Sequence, residues 1–367
     1  MSSLHDLYSH YGQSPWLDNL RREWINSGEL ARWVERGVRG LTSNPSIFQK
    51  AMTSGSEYDE QFAELLADGL SVPDSYWELV LTDIGGALDV LAPVYDSSNG
   101  LDGFVSVEVD PKLARDTDGT LAAARVLHQR VDRPNLYVKI PGTAEGLPAI
   151  EAMTAEGRSI NVTLLFSLSR YAEVIEAYLR GLEACPGDLS SVSGVASFFI
   201  SRTDTEADRR LEAIGTPEAL ALRGQTAVAQ GQVAYKLFTE KFTGPRWDAL
   251  EARGARVQRP LWASTSTKNP AYPDTLYVDQ LIGPHTVNTL PDATLEAFTD
   301  HGTLSRTVDA DPDAAQSILD RVTEAGVDLE AVADRLEDEG VSAFVKSFDD
   351  LLDSLSTTAD RLMEGAL

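Results

Sequence analysis

Short apolar or β-branched runs alternate along the chain with longer segments that have helical periodicity. This alternation is typical of βαβ units, in which helices join the strands of a parallel sheet. It predicts strands near residues 38–43, 103–109, 135–140, 159–165, 192–199 and 260–264, with a short first strand near 15–17 and a last strand near 277–282. Helical segments are predicted at residues 20–35, 74–91, 121–131, 170–183 and 217–242, and an amphipathic helix at 341–363. Eight strands with intervening helices indicate a single α/β domain, a closed (α/β)8 barrel of the TIM type with extra helices.

The charge balance excludes two classes of partner. The 367 residues include 31 Lys and Arg against 57 Asp and Glu, which gives a formal net charge of -26 at pH 7. Nucleic acids and anionic membranes require a basic surface, so neither is an expected partner. With 43% hydrophobic residues the chain has the composition of an ordinary globular protein.

The single cysteine, Cys185, rules out an internal disulfide and a cysteine-based metal site. The five histidines have no spacing typical of metal ligands, so we expect no metal. The first residues lack the basic start and apolar stretch of a leader, and no run of about 18 apolar residues occurs. We therefore expect a cytoplasmic protein.

Polar residues stand at the ends of several predicted strands: Asn44, Glu108, Lys139, Thr163, Ser197 and Ser264. The carboxyl ends of the strands in a parallel barrel converge on one mouth, where active sites are built. These side chains are therefore expected to form one site.

Lys139 is the candidate nucleophile. Alternation along residues 136–141 places Lys139 and Tyr137 on the face opposite three aliphatic residues, so Lys139 points into the barrel if the aliphatic face packs under the helices. An amine in an apolar or cation-rich pocket loses its proton more readily, and the neutral amine can form a Schiff base. The alternative is a lysine at a strand end that pairs with Glu145.

Two segments, GLTSNPSIF at 40–48 and VKIPGTAEG at 138–146, resemble the signature segments of transaldolases, and the resemblance continues through 105–110, 160–167 and 196–202. It covers roughly residues 15–300. The resemblance implies an (α/β)8 barrel with a helical segment at about 311–367 packed on it; a partner-binding helix at 341–363 is the less favoured alternative. It also implies that Lys139 attacks the C2 ketone of a ketose phosphate, without any metal or organic cofactor.

The implied reaction belongs to the non-oxidative pentose phosphate pathway. Sedoheptulose 7-phosphate would be cleaved between C3 and C4, releasing erythrose 4-phosphate and leaving a three-carbon enamine on the lysine. That unit would then add to glyceraldehyde 3-phosphate and give fructose 6-phosphate. Sugar phosphates are thus the expected partners, and the chain would act as a monomer or homodimer.

The resemblance also assigns the chemical roles. Asp18 matches the aspartate that takes and returns the C4 hydroxyl proton; alternatively, Asp18 caps the helix that follows. Glu108 and Thr163 match the residues that hold the water used in Schiff-base chemistry. A salt bridge from Glu108 to Lys112 or Arg115, and a purely structural β-branched residue at 163, are the alternatives.

Asn44, Asn161 and Ser197 match the residues that hold the hydroxyls of the retained fragment. Asn44 before Pro45 also fits an ordinary helix N-cap, and Asn161 could instead satisfy neighbouring backbone groups inside the barrel.

Arg202 matches a phosphate-binding arginine, with surface pairing to Asp204 or Glu206 as the alternative. Ser264 and Lys268 would complete the phosphate site. Many relatives have Ser-Phe-Arg-Asn here, whereas residues 263–269 read ASTSTKN and supply a lysine, which lacks the two-pronged hydrogen bonding of arginine.

Two other functions stay open at this point. One is an aldolase with the same barrel that releases free dihydroxyacetone; Glu108 and the chain length speak against it. The other is a catalytically silent barrel that only binds sugar phosphates, against which the presence of Lys139, Asp18 and Glu108 argues.

Overall fold

The computed structural model describes residues 3–365 and has a closed barrel of eight parallel strands at its centre. The strands follow one another around the barrel in chain order, and the first pairs with the last. They are β1 Gln13–Leu17, β2 Gly40–Thr42, β3 Phe104–Glu108, β4 Leu136–Pro141, β5 Ile160–Leu165, β6 Gly194–Phe199, β7 Gln258–Ala263 and β8 Thr286–Leu290. The predicted (α/β)8 barrel is confirmed.

Helices surround the barrel and connect its strands. Those before β5 are α1 Leu4–Tyr11, α2 Arg22–Asn26, α3 Glu29–Glu35, α4 Pro45–Thr53, α5 Asp59–Ala67, α6 Val72–Ser97, α7 Thr117–Val131 and α8 Gly146–Ala155, with a short 3-10 helix at Pro111–Leu113. Those after β5 are α9 Leu168–Ala184, α10 Ser201–Ile214, α11 Pro217–Leu220, α12 Thr226–Lys241, α13 Pro245–Glu251, α14 Leu276–Asp279, α15 Asp292–His301, α16 Pro312–Glu324 and α17 Leu329–Gly365. None of the helices in this described part of the chain combines the length and hydropathy needed to span a membrane.

The predicted last strand near 277–282 is wrong, because that segment forms the helical turn of α14 and the loop after it. The residues buried there are Tyr277, Val278, Leu281 and Ile282. Pairs of buried residues four positions apart are the spacing of a helix, not the alternation of a strand. The eighth strand, Thr286–Leu290, lies just downstream and pairs with both β7 and β1.

Two predicted helices are each divided by a glycine. Gly28, with φ +75°, separates α2 from α3 within the segment 20–35, and Gly224, with φ +71°, lies between α11 and α12 within the segment 217–242. A left-handed residue cannot continue a right-handed helix, and glycine adopts this conformation without a steric cost.

The interior of the barrel is filled at the amino ends of the strands. A cluster of buried side chains includes these six, each from a different strand: Trp16, Phe104, Tyr137, Val195, Leu261 and Val287. The rings of Trp16 on β1 and Tyr137 on β4 stack at 6.0 Å between centroids, which requires contact across the barrel. Below them the buried Asp102 carboxylate accepts hydrogen bonds from Arg39 and Arg259. Among the described residues, the cavity inside the barrel lies at the other end.

The long helix α17 packs on α4, α6 and α10 and contacts β5. Polar contacts attach it to the segments that follow β2 and β3: Ser46 to Ser347 at 2.8 Å, Lys112 to Asp349 at 2.7 Å, and Arg115 to Glu337 at 2.6 Å. The helix thus forms a roof over the open end of the barrel. That the whole chain forms one domain stays a prediction.

Candidate active site

A cavity of about 130 Å³ lies at the carboxyl ends of the strands. Its lining consists of Asp18, Thr42, Asn44, Lys139, Thr163, Ser197, Phe199, Arg202, Ala263, Ser264, Ser266, Lys268, Thr289, Pro291 and Phe344. Eight of the ten site residues predicted from the sequence are among them. The other two, Glu108 and Asn161, each bond to a lining residue.

Lys139 lies at the base of this cavity, paired with Glu108. The two residues are register partners on β4 and β3, and the Lys139 Nζ donates to Glu108 Oε2 and to the carbonyl oxygen of Ser43, both at 3.0 Å. Both side chains are almost fully buried. Burial raises the pKa of the Glu108 carboxyl, against the opposing effect of the Lys139 charge. Glu145, the alternative partner, pairs with Arg115 instead.

Two buried oxygens beside this pair have no hydrogen-bond partner among the described residues. They are Glu108 Oε1 and Thr163 Oγ1. A buried polar atom without a partner is costly, and such atoms point to a polar ligand or water as part of the site. Thr163 lies where β5 is irregular: the pairing of β5 with β6 shifts register between Val162 and Leu165, and Leu164 has φ +60°.

Asp18 follows β1 and faces the cavity. Its carboxylate accepts a hydrogen bond of 2.8 Å from Thr42 Oγ1, which in turn lies 2.6 Å from Thr289 Oγ1. Burial raises the pKa of Asp18, while the charges of Lys139 and Lys268 lower it. Asp18 does not cap a helix, because α2 begins at Arg22 without a side-chain cap.

A chain of hydrogen bonds fixes the wall formed by β3, β5 and β6. Ser197 Oγ donates to Asn161 Oδ1 at 2.7 Å, and Asn161 Nδ2 donates to Ser106 Oγ at 3.0 Å. On the other side of the cavity, Asn44 Oδ1 accepts from the Ile47 backbone N–H at 3.0 Å and so caps α4. Asn44 also lines the cavity, so its capping and its place in the site are compatible.

The far end of the cavity carries two cations. Arg202 packs over the Phe199 ring at 5.4 Å, and no residue within 3–365 pairs with its guanidinium. Lys268 donates to Ser266 Oγ at 2.7 Å. Burial lowers the pKa of both groups, and the Arg202 charge lowers that of Lys268 further. Arg202 is half-buried and Lys268 is exposed, and neither forms an ion pair with a carboxylate among the described residues. Two such neighbouring cations form a site suited to a dianion.

The partners proposed for Arg202 in the alternative interpretation are already bonded elsewhere. Asp204 accepts from the Ala227 backbone N–H and from Tyr277, and Glu206 accepts from Arg209 and Arg210. Ser264, which adopts φ +55°, lies 2.9 Å from the Ser201 hydroxyl at the start of α10.

The sequence did not identify several lining residues: Thr42, Thr289, Ser266, Phe199 and Phe344. Thr42 ends β2, so the rule that strand ends carry the site could have found it. Thr289 was missed because the eighth strand was placed too early. Phe344 belongs to α17, and no local signal indicates that a residue so far along the chain reaches the cavity.

Comparison with known proteins gives one consistent result. The family model described as "Transaldolase/Fructose-6-phosphate aldolase" matches residues 15–355. A protein of Thermobifida fusca named transaldolase is 53% identical over 353 residues, covering 95% of this chain and 96% of the relative. Proteins of the same name from Parafrankia sp. and Mycolicibacterium smegmatis are 51% and 50% identical, covering 96% and 95% of both chains.

Proposed function

The chain belongs to the transaldolase/fructose-6-phosphate aldolase family, and from this membership we propose that it is a transaldolase that moves a dihydroxyacetone unit from sedoheptulose 7-phosphate to glyceraldehyde 3-phosphate. The observation that carries the proposal is the arrangement of the cavity. A buried lysine bonded to a carboxylate lies at its base, and two cations lie at its far end. This arrangement suits covalent attachment of a ketose whose other end carries a phosphate.

Lys139 is the proposed nucleophile. The amine adds to the C2 ketone, and loss of water gives a protonated Schiff base, whose nitrogen accepts the electron pair when the C3–C4 bond breaks. The aldose phosphate leaves, and the three-carbon enamine stays bound to Lys139. Addition of the enamine to the acceptor aldehyde and hydrolysis complete the cycle.

Asp18 is the proposed acid/base group for the C4 hydroxyl. As a carboxylate it takes the hydroxyl proton when the C3–C4 bond breaks, and it returns a proton to the new alkoxide when the bond to the acceptor forms. The bond from Thr42 fixes the orientation of the carboxylate. The raised pKa brings the group closer to the pH at which transfer in both directions is efficient.

Glu108 and Thr163 are the proposed holders of the water that leaves and returns in Schiff-base chemistry. Their unpartnered oxygens lie beside the Lys139 amine and offer this water one hydrogen-bond donor and several acceptors. Asn44, Ser197 and, through Ser197, Asn161 would fix the hydroxyls of the enamine. A fixed fragment is protected from hydrolysis until the acceptor arrives.

Arg202, Lys268 and Ser264 are the proposed phosphate ligands. In a chain of charge -26 the phosphate must be attracted locally, and the Arg202 guanidinium provides a charge that forms no ion pair with a carboxylate among the described residues. Lys268 adds a second charge from the loop after β7, although as a point charge without the planar geometry of arginine.

Borohydride reduction in the presence of fructose 6-phosphate tests the proposal directly. We expect a reduced three-carbon adduct on the peptide that carries Lys139, located by mass spectrometry, and no adduct in the Lys139→Ala variant. Addition of erythrose 4-phosphate before the reductant should remove the adduct and yield sedoheptulose 7-phosphate.

The same experiment separates the alternatives. Free dihydroxyacetone released without an acceptor, at a rate comparable to transfer, would identify an aldolase. Binding of fructose 6-phosphate without an adduct or any exchange of the three-carbon unit would identify a silent barrel. The cytoplasmic location and the monomeric or homodimeric state stay predictions.

A further inference from the structure

A buried glycine stands in the middle of the roof helix. Leu336, Gly340 and Phe344 are spaced four residues apart on α17 and so share one face. Leu336 and Phe344 are buried on this face, and Phe344 lines the cavity. Glycine in a helix interior costs about 1 kcal/mol relative to alanine, so its presence in this face requires a reason in packing or function.

The space that a side chain at position 340 would need is occupied. An ideal Cβ on Gly340 would lie 3.0 Å from Leu164 Cδ2, 3.6 Å from Arg202 Nη1 and 3.6 Å from Phe166 Cε2. A methyl group is thus accommodated by a small shift of the Leu164 side chain. Any larger side chain has to displace at least one of the three neighbours.

Arg202 is the neighbour that is least firmly held. Within the described residues its guanidinium makes no hydrogen bond or ion pair; it lies over the Phe199 ring and is acted on by the charge of Glu339, the residue before position 340. Leu164 and Phe166, in contrast, are buried members of the hydrophobic cluster under α17. A side chain longer than a methyl group at 340 would therefore move the guanidinium, whereas a methyl group would stay in ordinary contact with it.

We propose that Gly340 is a positioning residue for the substrate phosphate: because no side chain longer than a methyl group stands at this position, the Arg202 guanidinium keeps its place beside the cavity. This inference rests on the proposed function, because it assumes that Arg202 binds the phosphate. It extends the site to α17, which would then determine the position of Arg202 at the phosphate end of the cavity as well as cover the cavity.

The test uses Gly340→Ala and Gly340→Leu, with Gly85→Ala as the matched control. Gly85 is a glycine inside α6 whose ideal Cβ would have no heavy atom within 4 Å. We expect Gly85→Ala to leave the kinetics unchanged. Because misplacement by about 1 Å can cost 100-fold, we expect KM for fructose 6-phosphate to rise about 30-fold or more in Gly340→Leu and to stay within about two-fold of the parent in Gly340→Ala, whose methyl group only Leu164 has to accommodate.

A structural role alone would give a different pattern. With unphosphorylated fructose as donor, kcat/KM should stay within about three-fold of the parent in both Gly340 variants, since no phosphate contact is lost. On an Arg202→Ala background, each Gly340 substitution should add little to the KM for fructose 6-phosphate, because the two changes act on the same contact. Equal losses with both donors, or additive effects with Arg202→Ala, would overturn the inference.

Failure of the inference and failure of the proposed function are distinguishable. If the parent protein transfers no three-carbon unit, the proposed function fails, and the same variants are then compared by calorimetric titration with fructose 6-phosphate. If the parent is active but affinity and KM do not follow the size of residue 340, the inference alone fails. Should Gly340→Leu not fold, Gly340→Val with and without Arg202→Ala decides the question.

Discussion

Thr163→Val removes a single hydroxyl group from the site and so tests the role of that group. Thr163 is fully buried on β5, it lines the cavity, and no described residue bonds to its Oγ1. Valine preserves the β-branched shape and the strand propensity of the residue, so the substitution removes the hydroxyl and little else.

The expected effects on stability and activity differ widely. No hydrogen bond within the protein is lost, so the free energy of unfolding should change by less than about 1 kcal/mol. If the hydroxyl orients the water of Schiff-base chemistry, kcat should fall by about 100-fold, the lower end of the range for positioned proton-transfer groups. Formation of the lysine adduct should slow by a similar factor.

The assay combines denaturant unfolding with the transfer reaction and with borohydride trapping over time. Thr226→Val is the matched control, because Thr226 is also fully buried with an unpartnered Oγ1, at the start of α12 and outside the cavity. Both variants should have the stability of the parent, and only Thr163→Val should lose activity. Retention of activity within about three-fold in Thr163→Val would refute the assigned role.

Three further predictions concern charge. Because burial raises the pKa of Asp18 and the carboxylate is the active form, kcat/KM should fall as the pH drops through a midpoint above 3.8. Asp18→Asn should have low activity, and its kcat/KM should not show this decrease at acid pH. Burial lowers the pKa of His128 to about 4, below the value of 6.5 in the unfolded chain. The free energy of unfolding should therefore fall by up to about 3 kcal/mol as the pH drops through this interval, because the unfolded chain binds the proton first. Denaturation of His128→Gln should not show that loss. Asp102→Ala leaves the half-buried Arg39 and Arg259 without their carboxylate and should lower the free energy of unfolding by about 1–3 kcal/mol, with kcat unchanged in the folded fraction.

The barrel was predictable because its strands are short and strongly apolar and its inner face is regular. On β4, alternation put Tyr137 and Lys139 on one face, and the structure has that face inside the barrel. The eighth strand was predicted too early, although the apolar residues of 277–282 have the four-residue spacing of a helix. In the structure this segment packs beside α10, where Tyr277 bonds to Asp204.

Strand ends and motifs predicted those residues of the candidate site that lie on the barrel, but not those that come from α17. Glu108 illustrates the limit, since a salt bridge to Lys112 or Arg115 was equally compatible with the sequence. The structure resolves this choice because Lys112 and Arg115 point outward to acidic residues of α17, while Glu108 points inward to Lys139. Contacts that depend on α17, above all those of Phe344 and Gly340, have no local sequence signal.

In a chain with a net charge of -26, an arginine near the cavity can bind an anion only if neighbouring carboxylates do not pair with it. Arg202 is the second residue of α10, and the next acidic residues on that helix are Asp204, Glu206 and Asp208. Each already accepts hydrogen bonds from other donors: Asp204 from Tyr277 and a backbone N–H, Glu206 from two arginines, and Asp208 from Tyr272 and the Gly224 backbone N–H. The carboxylate whose charge acts on the guanidinium is Glu339 of α17, and Arg335 donates to it at 2.7 Å. These carboxylates are thus oriented by other donors, so the Arg202 guanidinium stays free of an ion pair among the described residues and can bind an anion.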